Sequence, residues 1–279
     1  MIKAKKSLGQ NFLVDTRVAR RIVEAVSPLP TDVIIEIGPG TGALTRMLIE
    51  RSGYVVAIEI DGRLVDELRG SVTAENFAIM EADALEVDWS EIAVSAVERL
   101  LGHADREDAK PRVRIVANLP YYISTPIIER LLRAHRTIFD MTLMLQSEVA
   151  DRITSEPGRK EYGYLSVLVQ YHCAATKLFE VPPSAFKPAP KVWSAIVRLL
   201  VREWPAADVE DEAKFFALVR AAFAQRRKTI ANNLKASAGA LPFARSSEAA
   251  LEQARIEGRR RAETLSIEEF ASLYRALFL

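Results

Sequence analysis

Short, continuous runs of apolar and β-branched residues alternate with stretches whose apolar positions recur every three or four residues. Residues 33–37, 54–60, 77–80, 113–117 and 141–145 are runs of the first kind, and each reads as a buried strand. Val18, Ile22 and Val26 carry the helical spacing in a first helix that Asp15 or Thr16 can cap and that Pro28 and Pro30 end. Helices are expected over 43–51, 63–69 and 162–171, and late strands over 175–181 and 192–201 as a candidate hairpin at the sheet edge. Residues 88–112 are long and charged, with an exposed loop expected at 102–110. Strands alternating with helices predict an α/β fold with a mostly parallel sheet, right-handed crossovers and helices on both faces.

After Trp204-Pro205-Ala206-Ala207 the pattern becomes wholly helical. Phe215, Phe216, Val219, Ala222 and Phe223 form one apolar stripe, and Ser266-Ile267-Glu268-Glu269 reads as a capping box for a last helix through Phe270, Leu273 and Leu277. Two domains are therefore expected: 1–204, and a small all-helical C-terminal domain over 205–279.

Composition narrows the class. With 279 residues, 49% hydrophobic and 27% charged, the chain suits a globular protein of one large and one small domain. No apolar run approaches the roughly 18–20 residues of a membrane span, and Met1-Ile2-Lys3-Ala4-Lys5-Lys6 does not lead into a secretory core. Cys173 is the only cysteine, which fits a reducing cytoplasm, so a cytoplasmic protein without membrane contact is expected. His103, His135 and His172 lack metal-ligand spacing, and no metal is expected. A net charge of +1 gives no global pull toward a polyanion, but cations cluster at Lys3, Lys5 and Lys6, at Arg226, Arg227 and Lys228, and at Arg259, Arg260 and Arg261. Gathered by the fold, such clusters would make a local footprint on nucleic acid.

Candidate chemistry lies at strand ends. Gly38, Gly40 and Gly42 form a turn between the first strand and the next helix, where backbone can approach a ligand closely. Their spacing matches neither the dinucleotide fingerprint nor a P-loop. Glu59 follows Gly42 by 17 residues and can accept bonds from ribose hydroxyls, and Asp83 can take the amino group of an adenine. Asn118-Leu119-Pro120-Tyr121 comes about 80 residues after the glycine turn. An exocyclic amine is a poor nucleophile because its lone pair is delocalised into the ring. The Asn118 side-chain carbonyl and the Leu119 backbone carbonyl can bind its two N–H groups, Pro120 pre-sets the loop, and Tyr121 can stack on the base, a contact worth about 1–3 kcal/mol. Glu59, Asp83 and Asn118 all fall at or just after strand ends, where such sheets bind ligands.

The ordered set resembles the KsgA-type small-subunit ribosomal RNA adenine dimethyltransferases. The likeness runs through 10–13, 36–45, Glu59, 81–85, 118–125, 146–153, 162–171, 186–194, 226–234 and 265–270. It implies a Rossmann-like class I methyltransferase fold and S-adenosylmethionine held by Asn11, Leu13, Gly38, Gly40, Glu59, Asp83 and Asn118. The target adenine would lie between Tyr121 and Phe186, its amine held by Asn118 and Leu119. The family places two methyls on N6 of each of two adjacent adenines, in a hairpin near the 3′ end of small-subunit rRNA. A pre-30S-type particle is the implied partner, contacted by Lys191, Arg226, Arg227 and Lys228, with a role in subunit biogenesis and a monomeric enzyme. Trp193 stands where relatives carry a small or acidic residue, Ala231 where a basic one is common, and the 102–110 loop is longer than usual.

Other readings share these motifs: a resistance-type dimethyltransferase of large-subunit rRNA, a DNA adenine methyltransferase, a small-molecule methyltransferase, or a non-catalytic assembly factor.

Overall fold

The computed structural model describes residues 2–102, 110–241 and 243–279. Its strands are β1 (Phe12–Leu13), β2 (Val33–Ile37), β3 (Tyr54–Glu59), β4 (Phe77–Glu81), β5 (Val113–Asn118), β6 (Asp140–Gln146), β7 (Cys173–Val181), β8 (Phe186–Lys187) and β9 (Ser194–Val201). The helices are α1 (Thr16–Val26), α2 (Thr45–Ile49), α3 (Gly62–Ser71), α4 (Trp89–Gly102), α5 (Ser124–Arg133), α6 (Ser147–Thr154), α7 (Tyr164–His172), α8 (Glu212–Ala222), α9 (Ile230–Ser237), α10 (Ser247–Gln253) and α11 (Ile267–Phe278). No helix among the described residues is long and apolar enough to cross a membrane.

Among the described residues, seven strands form one sheet in the order β4-β3-β2-β5-β6-β9-β7, and β1 pairs with β8 in a separate antiparallel ribbon. Strands β4 to β6 are mutually parallel, and β9 runs antiparallel to β6. Every residue of β2 and β3 is buried, as strands covered on both faces must be. Burying one Val or Ile side chain is worth about 1.5–3 kcal/mol, so these two runs anchor their half of the sheet. The five expected parallel strands are present within one residue of their expected limits, and the two late strands are neighbours at the edge.

One expectation is corrected, and one element is added. The helix expected over 43–51 is reduced to α2, because residues 40–44 are spent in turns, with the Gly42 N–H donating to the Pro39 carbonyl at 2.9 Å. In the charged stretch after Asp88, where no element was expected before the 102–110 loop, the chain forms α4. Its Trp89, Ile92, Ala93, Ala96 and Leu100 are buried at helical spacing, behind an outer face that includes Glu91, Glu98 and Arg99. Residues 103–109 of the expected 102–110 loop lie outside the described residues.

At the amino ends of the strands an ionic cluster fixes alignment. Arg114 faces Asp140 in register across β5 and β6, and its Nε and Nη2 donate to that carboxylate at 2.7 Å each. Its Nη1 reaches Asp32 at 3.2 Å, Arg112 makes two 2.9 Å bonds to Asp32, and Arg198 on β9 reaches Asp140 at 2.9 Å. Arg114, Asp32 and Asp140 are buried, so each charge depends on its partners for solvation.

The chain divides into two compact units: Met1–Ala150 with Thr176–Val201, and Asp151–Ala175 with Arg202–Leu279. The expected boundary at 204/205 falls near the last of these junctions, whereas 151–175 group with the second unit. That unit is built on Tyr162, Tyr171, Phe215, Phe270 and Tyr274. Its last helix starts at the expected capping box: the Glu269 N–H donates to Ser266 Oγ at 3.2 Å and the Ser266 N–H to Glu269 Oε2 at 2.9 Å.

Candidate active site

The strand β2 ends in the glycine turn, where Gly38, Gly40 and Gly42 have φ of 66°, 57° and 81°, values that side chains beyond glycine rarely adopt. Space is equally restrictive. A Cβ on Gly40 would sit 3.0 Å from the Phe12 ring, and one on Gly42 would sit 2.8 Å from Leu68 Cδ2.

Glu59 closes β3 and is buried. Its Oε2 accepts from the Gly40 N–H at 3.3 Å and its Oε1 from the Asp61 N–H at 3.0 Å, which binds the strand end to the turn. Burial raises its pKa above the usual carboxylate value, against the pull of these backbone donors. Glu36 on β2 is more deeply placed. Burial, opposed by the Thr45 hydroxyl and reinforced by the Glu59 charge, pushes its carboxyl up to about 7, and its Oε2 has no partner within hydrogen-bond distance among the described residues. Asp83 follows β4, with Oδ1 accepting from the Leu85 N–H at 2.8 Å.

Asn118 ends β5, and its Nδ2 donates to the Asn11 carbonyl at 3.1 Å. With its nitrogen committed, the amide presents Oδ1 as an acceptor. The Leu119 N–H is held by the Met144 carbonyl at 3.3 Å, and the Pro120 carbonyl accepts from Ile123 N–H at 3.1 Å. Tyr121 shares a 2.7 Å hydrogen bond with the buried Ser194 hydroxyl, and Ser124 Oγ donates to the Tyr121 carbonyl at 3.1 Å. The ring is thereby held at its hydroxyl and at its backbone.

These elements surround one cavity of about 230 Å³. Asn11, Leu13, Gly38, Gly40, Glu59 and Asp83 line it, together with all four residues from Asn118 to Tyr121. Residues 8–13 line it as well, and β1 within that segment pairs with β8, Leu13 opposite Phe186. Phe186 itself is not among the lining residues: it is 4% exposed and packed in an apolar cluster with Leu13 and Ile196. Lys191 and Trp193 are exposed.

In the second unit Arg226, Arg227 and Lys228 are exposed, and Arg226 forms an ion pair with Glu263 at 3.6 Å. The Ile230 N–H donates to the Arg260 carbonyl at 2.7 Å and the Ala231 N–H to Gly258 at 3.2 Å, so two basic clusters far apart in sequence become neighbours. Part of that charge is spent locally, since Arg259 engages Glu257 and Arg260 engages Glu269. Ala231 lies where the chains press together: a Cβ on Gly258 would be 3.2 Å from its own.

Sequence reasoning passed over Asp61. Its side chain is inaccessible, yet accepts from Lys5 Nζ at 2.9 Å, Gln10 Nε2 at 3.1 Å and Arg63 Nε at 3.0 Å. The available signal was an acid two residues beyond Glu59, at the start of a helix.

The family model described as ribosomal RNA adenine dimethylase matches residues 1–277. "Ribosomal RNA small subunit methyltransferase A" of Moorella thermoacetica is 46% identical over 275 residues, covering 98% of this chain and 92% of that protein. Its namesake from Shouchella clausii is 45% identical over 276 residues, covering 98% and 90%. Among solved structures, a dimethyladenosine transferase from Plasmodium falciparum superposes with a TM-score of 0.75 at 26% identity, covering 94% of this chain and 95% of that one. The 23S rRNA methyltransferase ErmE gives 0.70 at 29%, covering 96% and 99%.

Proposed function

The chain belongs to the ribosomal RNA adenine dimethylase family, and from that premise we propose that it dimethylates N6 of two adjacent adenines in a hairpin near the 3′ end of small-subunit rRNA, with S-adenosylmethionine as donor. One observation carries the reading. A single cavity joins the glycine turn and Glu59 to the Asn118–Tyr121 loop, so a nucleoside-bearing donor and a flat base can meet there.

The residues present fit that donor. Gly38 and Gly40 bring bare backbone to the wall, Glu59 offers carboxylate oxygens to a ribose, and Asp83 offers an acceptor to an adenine amine. The unpartnered Glu36 oxygen suits a cationic neighbour. When bound, S-adenosylmethionine supplies an electrophilic methyl on a sulfonium sulfur.

The chain's own contribution is positioning and electrostatics. Asn118 Oδ1 and the Leu119 carbonyl accept the two N–H bonds of the target amine, which localises its lone pair toward the donor. Tyr121 stacks on the base, and its bond to Ser194 restrains the ring. Phe186 serves as the opposite wall only if its buried ring becomes exposed on substrate binding. Lys191, Arg226, Arg227 and Lys228 hold RNA phosphates, and the helical unit contacts a pre-30S-type particle. We place the enzyme in the cytoplasm as a monomer, without a metal.

Incubating the protein with unmethylated small subunits and labelled donor, followed by nucleoside mass spectrometry, should yield N6,N6-dimethyladenosine. The likeness to ErmE keeps large-subunit rRNA as a second reading. Primer extension on both rRNAs from a deletion strain separates the two, because a stop lost only from large-subunit rRNA would overturn ours.

A further inference from the structure

We propose that Asp61 is a positioning residue for the donor site: it holds residues 5–13 down as a strap across the cavity and so governs how long the donor stays bound. The inference rests on the donor assignment made above and adds a residue to which no role was given.

The geometry is specific. The strap is self-braced, since the Lys5 N–H donates to Gln10 Oε1 at 2.7 Å and Asn11 Nδ2 donates to the Gly9 carbonyl at 3.2 Å. Both ends of that brace return to one carboxylate, Lys5 Nζ to Asp61 Oδ1 at 2.9 Å and Gln10 Nε2 to Asp61 Oδ2 at 3.1 Å. Asp61 is itself fixed. It caps α3 through the Arg63 N–H at 3.4 Å, and the Arg63 guanidinium, then the Lys5 and Gln10 side chains, hold its pKa far below the usual carboxylate value. Its own N–H donates to Glu59 Oε1, so the ribose-binding acid and the strap share one support. The far end of the strap is caught by Asn118 and by the pairing of β1 with β8. Among the described residues, only the Asp61 end depends on side-chain charge, and Lys5 is 43% exposed there, so this end releases most readily.

The test uses the full-length protein and S-adenosylhomocysteine as the titrated probe, with donor KM and kcat measured on small subunits. Asp61→Asn should weaken probe binding by about tenfold, because bonds to a charged acceptor are the stronger class. Lys5→Met should weaken it by about threefold, as a part-exposed ion pair allows. Lys5→Arg should restore it. Donor KM should rise in parallel while kcat at saturating donor stays within about twofold. Raising salt should weaken binding by the wild type more than by Lys5→Met. If Asp61→Asn does not fold, Lys5→Met and Gln10→Ala decide the matter, since neither residue belongs to the buried core. Equal probe affinity for wild type, Lys5→Met and Gln10→Ala would overturn the strap, as would a fall in kcat with unchanged KM. Failure of the wild type to bind the probe at all would overturn the donor assignment instead, and the strap's role with it.

Discussion

Replacing Glu36 by Gln should change the protein's response to pH in a way that burial alone dictates. The carboxyl is 2% exposed, and desolvation, aided by the Glu59 charge, moves it from 4.5 to about 7. In the unfolded chain the same group titrates near its ordinary value. Between these limits the folded protein holds a proton that the unfolded chain has lost, so the stability this group contributes is complete below about 4.5 and is lost as pH rises through about 7. A tenfold difference in proton affinity is worth about 1.4 kcal/mol, and the rise from 4.5 to about 7 therefore amounts to about 3 kcal/mol. Gln is close in shape and never ionises. Urea unfolding of the ligand-free variants should give similar stabilities near pH 5, with Glu36→Gln ahead by about 3 kcal/mol near pH 8. Parallel stability profiles across that range would refute the reasoning.

Asn118→Ala should lower single-turnover methylation by about 100-fold or more, while donor affinity changes by less than about tenfold; unchanged single-turnover rates would remove the residue from its assigned role. Arg114→Met strips the central cation from Asp32 and Asp140 and should cost about 3 kcal/mol in urea unfolding; a loss below about 1 kcal/mol would mean that Arg112 and Arg198 suffice. Gly42→Ala should cost about 1–3 kcal/mol, because φ is +81° and the new methyl meets Leu68. Gly70→Ala, in open space on α3, should be neutral or stabilising by up to about 1 kcal/mol, and equal melting temperatures for the two would contradict the strain.

The sheet was legible because runs such as residues 54–58 are apolar on both faces, a pattern that a doubly covered strand explains. The strand-end positions of Glu59, Asp83 and Asn118 followed from the same periodicity. The helix α4 was hidden because its apolar positions extend beyond one stripe, with Val94 and Leu101 exposed, and because the charges at 105–112 set the character of the whole stretch. Asp61 escaped notice for another reason: its partners Lys5 and Gln10 lie 56 and 51 residues away, and no local pattern encodes such pairing. The elevated Glu36 carboxyl depends on how completely water is excluded, which the letters around it do not state. The family likeness assigns Phe186 a ring contact with the base, but local sequence does not say which way the ring turns, and here it packs inward.

The interleaved boundaries have a practical meaning for anyone wishing to excise the first unit. A single cut at 204/205 would leave residues 151–175 on the retained piece while discarding the core that covers Tyr162, Val167 and Tyr171. Those apolar side chains would face water, inviting aggregation. Transplanting one unit between relatives therefore calls for exchanging two stretches of sequence together, and a chimera joined at one seam should be recovered mostly as insoluble material.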